Sequence, residues 1–236
     1  MSPTTWTPIA LASEARPWRG QAWRVVEAQH VASTMKLVDG PQEQKVLELL
    51  LESSKPPLPP DTSSLHYLLA TPFRYPPLPG GSRFRGPGEP GVFYGGDHLR
   101  TACAELGYWR WRFLRDSPRL EQLAPMAQTA FQVAADTTAI DLREGYFQKD
   151  ARRWTSPDDY RDTQALARVA RAADVGAIRF ESVRDPDRGG CVALLTPRAF
   201  ASNQPIGPTL TWWLVVRQQH VTWVRDLEHH LFRFEG

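Results

Sequence analysis

The chain has 236 residues, of which 42% are hydrophobic and 23% are charged, and its formal net charge is +2. These values are typical of one large globular domain or two small ones, and a charge this close to zero does not predict binding to nucleic acid or to a membrane surface. The two cysteines, Cys103 and Cys191, are too few for a disulfide framework, and both lie in apolar patterns that predict core positions.

The first 20 residues are polar with scattered Pro and Trp, which predicts a partly ordered arm before the main domain at 21–236. They contain no basic segment followed by an apolar one, and no apolar run approaches the roughly 20 residues that span a bilayer. We therefore expect a cytoplasmic protein with no membrane partner. The segment "AWRVVEA", residues 22–28, has the β-branched centre of a first strand.

The segment "PQEQKVLELLLES" predicts a helix, because Pro41 suits a first turn and apolar residues recur at helical spacing. The prolines of "KPPLPPDTSS", residues 55–64, end that helix, since proline has no amide donor. They indicate a rigid connector within the domain.

A short strand "VFYG" is followed by a second helix with Asp97 as its expected N-cap. Its apolar positions predict one buried face. That face consists of Leu99, Ala102, Cys103, Leu106, Trp109 and Phe113. Glu105 borders this stripe, where a carboxylate can be partly desolvated and still be reached from a cleft.

The second half of the chain predicts a strand at 129–136, a helix that starts at Ser156 or Asp158 and ends at Gly176, and two strands around the turn "RDPDRGG". One or two further strands are expected after residue 209. Short strands mixed with helices, without a regular βαβ alternation, indicate an α+β fold with a twisted, largely antiparallel sheet flanked by helices.

Several common site motifs are absent. The sequence has no Walker-type loop and no G-x-S-x-G elbow, and its glycine-rich stretch "GGSRFRGPG" leads into a strand instead of a helix N-terminus. The histidines and cysteines show no zinc-ligand spacing, so we expect no metal.

The segment "YWRWRFLR", residues 108–115, alternates basic and aromatic residues, as single-strand nucleic-acid binders do. A non-catalytic module that binds nucleic acid or protein through this helix is therefore an alternative function. The competing interpretation places Trp109 and Phe113 in the core, with the arginines extending outward to solvent.

Three chemically distinctive residues, Arg83, Tyr94 and Glu105, occur at even intervals of eleven. An arginine fork suits a phosphate, a tyrosine ring stacks on an aromatic base, and a carboxylate stabilises positive charge at a sugar carbon. Together they suit a nucleotide whose glycosidic bond is broken. A purely structural Arg–Glu pair that closes a loop onto a helix is the alternative.

Four segments of the chain resemble the RES-domain family, which is named for its Arg, Glu and Ser. The segment "GGSRFRGPGEPGVFYGGDHLRTACAE" resembles the family signature, and "AWRVV" resembles its opening strand with an arginine, here Arg24. The segment "DVGAIRFESVRDPDRGGCVALLTP" resembles the part that carries the family serine, here Ser182, and "DDYRDTQALARVARAADVG" resembles the helix before it.

This resemblance implies a single compact domain with an ADP-ribosyltransferase-like fold. It implies a toxin of a bacterial type II toxin–antitoxin system that consumes NAD+ as its substrate, either as a mono-ADP-ribosyltransferase acting on a host protein or as an NAD+ glycohydrolase. It also implies a cognate antitoxin that covers the active site, so that nucleic acid is contacted only through the antitoxin.

The resemblance also implies roles for individual residues. Arg83 would hold the pyrophosphate or the adjacent ribose, with Arg24 on the phosphate side, and Tyr94 would pack on the nicotinamide end. Glu105 would bind the nicotinamide ribose and stabilise the oxocarbenium ion, and Ser182 would position the ribose or nicotinamide. Arg74 and Tyr75, in "PFRYPP", enter the same loop region and could join the pocket.

The chain departs from the family pattern at two places. Residues 37–79 look like an insertion, which could shape an acceptor-protein surface or the antitoxin contact. Glu181 precedes Ser182 where the family more often has proline, so Ser202 is a weaker alternative for the serine role.

Overall fold

The computed structural model describes residues 6–28, 38–77 and 79–235. Within these ranges the chain forms six α-helices and eight strands of one sheet. The helices are α1 (Pro8–Glu14), α2 (Pro41–Ser54), α3 (Tyr67–Arg74), α4 (Leu99–Arg115), α5 (Ala151–Trp154) and α6 (Arg161–Ala172). The strands are β1 (Arg16–Glu27), β2 (Phe93–Gly96), β3 (Gln122–Asp141), β4 (Ala177–Glu181), β5 (Gly190–Leu194), β6 (Ile206–Arg217), β7 (Val221–Arg225) and β8 (Glu228–Phe232). None of the described helices is long and apolar enough to cross a membrane.

The strand order is β1-β2-β5-β4-β3-β6-β7-β8, and β1 also pairs with β3. Five strands therefore form a closed ring, from which β6, β7 and β8 extend. The β3–β4 pair is parallel and the other pairs are antiparallel. The predicted α+β class with a largely antiparallel sheet is confirmed.

The 20-residue strand β3 organises the sheet. Its residues 128–139 pair with β1 along one edge, while residues 122–132 pair with β6 along the other. Its last residues, 139–141, pair with β4. A single strand thus joins the closed ring to the three-stranded extension.

Three apolar clusters hold helices against this sheet. The first lies under α4, where Tyr108 and Trp111 pack on Trp212 and Trp223 of β6 and β7. Gly107 allows this close approach, since a Cβ at that position would lie 3.0 Å from a Val221 methyl group. The second cluster lies under α1 and α6, and the third under α3.

The N-terminal segment is more ordered than the polar composition predicts. Thr7 caps α1 by accepting a hydrogen bond from the Ala10 amide, and Leu11 is fully buried in the cluster under α6. Strand β1 begins at Arg16, so the expected boundary after residue 20 falls inside it. Residues 1–5 of the predicted arm lie outside the described residues.

The buried face of α4 matches the prediction at Ala102 and Cys103 and differs from it further along the helix. Trp109 and Phe113 are about half exposed, whereas Tyr108, Trp111 and Leu114 are buried. Helical spacing alone fits both faces, and the packing of α4 on β6–β8 selects the second.

The chain ends in three strands, one more than the upper expectation. Asp226 has a φ of 52° and lies in the short turn between β7 and β8. Aspartate is one of the few non-glycine residues that adopt this left-handed conformation readily, so the turn carries no glycine signal.

The predicted insertion contains α2, which has no buried residue. Glu52 of α2 forms an ion pair with Arg74 of α3. Helix α3 also lies inside the predicted insertion, and it packs in the third apolar cluster. Residues 37 and 78 of this segment lie outside the described residues.

We expect Leu11→Ala to lower the free energy of unfolding by about 2–4 kcal/mol, because it leaves a cavity in a packed cluster. Chemical denaturation measures this. Ile9→Ala is the matched control, since Ile9 lies on the same helix with 85% of its surface exposed. Equal stabilities of the two variants would contradict the docking of α1 onto the domain.

Candidate active site

A cavity of about 390 Å³ opens between the start of α4, the loop at 81–83, strands β1 and β2, and the segment that connects α5 to α6. Its walls are mainly apolar and include Trp23, Trp109 and Phe180. Its charged groups are one carboxylate and three guanidinium groups, with two tyrosines beside them. These are Glu105, Arg24, Arg83, Arg184, Tyr94 and Tyr160.

Glu105 faces the cavity from α4, on the same side as Ala102, Leu106 and Trp109. Its Oε1 accepts a hydrogen bond of 2.5 Å from the Ser182 hydroxyl. Burial raises the pKa of Glu105, and this hydrogen bond together with the charges of Arg83 and Arg184 opposes the rise. The carboxyl is therefore easier to protonate than a solvated glutamate.

Ser182 is fully buried just after the end of β4 and does not line the cavity. Its Oγ donates to Glu105 and accepts from the backbone amides of Arg184, at 3.2 Å, and Asp185, at 2.9 Å. These three contacts use its one donor and both lone pairs. Ser182 therefore fixes Glu105.

Asp185, in the turn that follows β4, connects this turn to α4. Its carboxylate is almost fully buried and accepts a hydrogen bond of 2.8 Å from the Thr101 hydroxyl, and it also binds the guanidinium of Arg100. Thr101 lies one helical turn before Glu105. The turn after β4 therefore contacts two successive turns of α4, through Asp185 and through Ser182.

Arg83 extends from the glycine-rich loop into the cavity. Its Nη1 donates to the carbonyl of Trp154 at 2.8 Å, and its guanidinium lies 4.8 Å from the ring centre of Tyr160. Desolvation by burial lowers its pKa. Within the described residues it forms no ion pair with a carboxylate.

Arg24 comes from the middle of β1. Its Nη1 donates to the carbonyl of Tyr94 at 2.7 Å, and its guanidinium lies 4.9 Å from the Phe93 ring centre. Its Nε is buried and has no hydrogen-bond partner in the described part of the chain. Desolvation by burial lowers its pKa to about 10. Arg24 forms no ion pair with a carboxylate of the described residues.

Tyr94 lines the cavity while its hydroxyl holds the loop that carries Arg83. The hydroxyl accepts from the Phe84 amide at 2.9 Å and lies 2.8 Å from the Ser82 hydroxyl. Gly81 has a φ of 74°, and a Cβ there would lie 2.3 Å from the Arg85 carbonyl, so the loop requires glycine at this position.

The structure thus brings Arg24, Arg83, Tyr94 and Glu105 to one cavity, with Ser182 directly behind Glu105. Arg74 and Tyr75 do not join it. Arg74 is held by Glu52 and the Pro56 carbonyl, and Tyr75 lies at the surface. Their proximity in sequence to the loop is misleading, because the chain turns away after α3.

Arg184 and Tyr160 line the cavity close to Arg83 and were not among the predicted site residues. Arg184 is two positions after Ser182, in a turn that the resemblance already marks, which is the one signal that points to it. Tyr160 falls inside the predicted helix, but the helix begins at Arg161, and Tyr160 lines the cavity from the end of the loop before it.

The basic and aromatic helix segment is explained largely by packing. Tyr108 and Trp111 are buried, Arg110 pairs with Glu27, and Arg115 stacks on Trp111. Among the residues described, no group of three or more His, Cys, Asp or Glu side chains is placed to hold a metal ion.

We expect Glu105→Gln to change the free energy of unfolding, relative to the natural protein, more favourably at pH 7 than at pH 4. The folded protein holds the Glu105 proton above its ordinary pKa of 4.5, so the free energy of unfolding of the natural protein falls as the pH rises through the elevated pKa. Glutamine carries no such proton.

The measurement is the difference in unfolding free energy between variant and natural protein at both pH values. Glu121→Gln serves as a control, since Glu121 is exposed. A Glu105→Gln difference that stays constant between pH 4 and pH 7 would argue against a raised pKa.

Comparison with known proteins identifies the family of this chain. Among curated proteins, none matches the sequence significantly. The fold is similar to that of the MbcT toxin in the crystal structure of the M. tuberculosis MbcT–MbcA toxin–antitoxin complex, with a TM-score of 0.53 and 11% sequence identity over 86% of this chain and 89% of that one. The sequence profile of the RES domain matches residues 58–220, a span that includes Arg83, Tyr94, Glu105 and Ser182. This chain therefore belongs to the RES-domain family.

Proposed function

We propose that this protein is a toxin of a type II toxin–antitoxin system that cleaves the nicotinamide–ribose bond of NAD+ and transfers the ADP-ribose to water or to a host protein. The observation that carries the proposal is the charge arrangement of the cavity. Three guanidinium groups converge beside a single carboxylate, which a buried serine holds in place.

The charges suit the substrate. Arg24 and Arg83 have no carboxylate partner in the described chain, so a ligand with two adjacent phosphates would supply the missing negative charge. The mainly apolar walls suit the flat adenine and nicotinamide rings. In this arrangement Arg83 and Arg24 bind the pyrophosphate side, and Tyr94 packs on the nicotinamide end.

Cleavage breaks the bond between the ribose carbon and the nicotinamide nitrogen, and its electron pair leaves with neutral nicotinamide. The ribose carbon then carries oxocarbenium character, which the negative charge of Glu105 stabilises at short range in a mainly apolar cavity. Water or an acceptor side chain adds to that carbon and gives up a proton. Glu105 can take this proton, since its pKa is raised by burial.

The contacts of Ser182 favour an indirect role for it. Its hydroxyl is fully engaged with Glu105 and two backbone amides, so none of its hydrogen-bonding capacity remains for a ribose hydroxyl. We therefore assign it the positioning of Glu105 in place of the substrate contact that the resemblance implies.

An antitoxin is the proposed partner, as in the complex that contains the similar MbcT fold. Trp109 at the cavity wall and Phe113 one helical turn further are about half exposed on one side of α4. An apolar surface next to the cavity is suited to a protein that covers the entrance.

NAD+ labelled in its adenosine half tests the reaction. We expect nicotinamide release, with the label in free ADP-ribose if water is the acceptor and on a protein of a bacterial lysate if the enzyme is a transferase. Glu105→Gln should slow nicotinamide release about 100-fold or more, because it removes the charge that stabilises the transition state.

Glu121→Gln, at an exposed position, should keep the natural rate. Near-natural turnover by a folded Glu105→Gln protein would remove Glu105 from the proposed role. The absence of nicotinamide release by the natural protein, purified without an inhibitor, would reject the activity.

Expression in a bacterial host tests the proposed biological role. The natural protein should lower cellular NAD+ and stop growth, whereas Glu105→Gln at the same protein level should do neither. A library of the source genome then selects for the gene that restores growth, which should encode a protein that co-purifies with this chain. Growth arrest by Glu105→Gln equal to that of the natural protein would show that the arrest does not depend on catalysis.

A further inference from the structure

The segment that joins α5 to α6 lies against both arginines on one side of the cavity. Arg83 donates to the Trp154 carbonyl, and Arg184 donates from Nη2 to the Pro157 carbonyl. Tyr160, at the end of the segment, lies between them. Its ring centre is 4.8 Å from the Arg83 guanidinium, and its hydroxyl is 3.5 Å from Nη2 of Arg184.

The side chain of Arg184 is buried against Tyr108 of α4. Its guanidinium lies 3.7 Å from the ring centre of Tyr108, a close cation–π contact, and only 6% of its side chain is exposed. Its backbone amide also binds the Ser182 hydroxyl. The residue therefore has a fixed place next to the buried Ser182–Glu105 pair.

The charge of Arg184 is only weakly compensated. The nearest carboxylate of an ion pair, Asp158, is 3.6 Å away, and 76% of its side chain is exposed to solvent, which screens the interaction. The hydrogen bonds of Arg184 to described residues use Nη2, which leaves Nε and Nη1 for a ligand in the cavity. Arg83 likewise uses Nη1 and keeps Nε and Nη2.

We propose that Arg184 is a third phosphate-side guanidinium of this cavity, beside Arg83 and Arg24 and paired with Arg83, and that Tyr160 is a positioning residue that holds the guanidinium groups of Arg83 and Arg184 at a fixed separation. The proposal rests on the proposed function, since it assigns this pair to the two adjacent phosphates of a dinucleotide. A planar fork presents two parallel donors to one phosphate, so two forks spaced by one aromatic ring match a pyrophosphate.

A structural role alone explains the arrangement less well. Burying a guanidinium without a close carboxylate is unfavourable, and stacking on Tyr108 would be available to an uncharged side chain as well. Two such cations on the same wall add mutual repulsion. An anionic ligand removes both costs.

Calorimetric titration with ADP-ribose tests the proposal without requiring turnover. Arg184→Gln should weaken binding about 10- to 100-fold, the effect of losing a charged hydrogen bond to phosphate. Arg184→Lys, which keeps the charge and loses the fork, should lie between Arg184→Gln and the natural protein. Arg188→Gln is the matched control, because Arg188 lies in the same turn region, pairs with Glu181 and is outside the cavity.

Tyr160 is tested by two variants. Tyr160→Phe keeps the ring beside Arg83 but loses the hydroxyl next to Arg184, so its affinity for ADP-ribose should lie between those of the natural protein and Tyr160→Leu. Tyr160→Leu should weaken ADP-ribose binding further and raise the KM for NAD+ more than it lowers kcat. Circular dichroism and thermal unfolding verify that each variant is folded.

Unchanged ADP-ribose affinity in folded Arg184→Gln and Arg184→Lys proteins would overturn the assignment of Arg184, and equal affinities of Tyr160→Leu and the natural protein would overturn that of Tyr160. The proposed function is judged separately. If the natural protein binds ADP-ribose through Arg184 and releases no nicotinamide, the cleavage activity fails and the phosphate site stands. If the natural protein releases nicotinamide and Arg184→Gln binds ADP-ribose normally, the cleavage activity stands and the assignment of Arg184 to phosphate binding fails.

Discussion

The buried hydrogen bond between Ser182 and Glu105 is the contact on which the geometry of the cavity depends. It joins the turn after β4 to α4, and it exists only because two backbone amides of that turn orient the serine hydroxyl. The contact of Asp185 with Thr101 repeats the attachment one helical turn earlier. These two contacts, one helical turn apart, hold the turn after β4 against the part of α4 that carries Glu105.

The same cavity concentrates groups that are unfavourable for folding. Burial raises the pKa of Glu105 and lowers those of Arg24 and Arg83, which means that each group is less stable in its charged form than it would be in water. Contacts of the two guanidinium groups with the rings of Phe93 and Tyr160 and with the Tyr94 carbonyl offset part of the desolvation cost of the arginines. The remainder is offset by the packed clusters elsewhere in the domain, a distribution typical of binding sites that are organised before the ligand arrives.

Local patterns predict well the features that depend on neighbouring residues and less well those that depend on distant packing. The helix around Glu105 and the strand with Tyr94 follow from periodicity, and the α+β class follows from the mixture of elements. The buried face of α4 does not, because Trp109 and Trp111 are equally apolar and only the sheet of β6–β8 distinguishes them. Arg74 and Arg184 show the same limit, since a side chain reaches the cavity or misses it according to contacts that lie far away in sequence.

The closed ring of strands explains how the cavity can tolerate a long segment between two of its arginines. Arg24 is fixed by the pairing of β1 with β3, and Arg83 by a loop whose hydrogen bonds end on the Tyr94 hydroxyl. Both arginines are thus tied to Tyr94: the loop of Arg83 through the tyrosine hydroxyl, and Arg24 by donating to the tyrosine carbonyl. Strand β2, which carries Tyr94, therefore sets the relative position of the two arginines. The chain between them contains α2, which buries no residue in the domain. Arg24 and Arg83 donate their described hydrogen bonds to the carbonyls of Tyr94 and Trp154 and none to α2, whereas α3 of the same segment packs in the third apolar cluster beside β2.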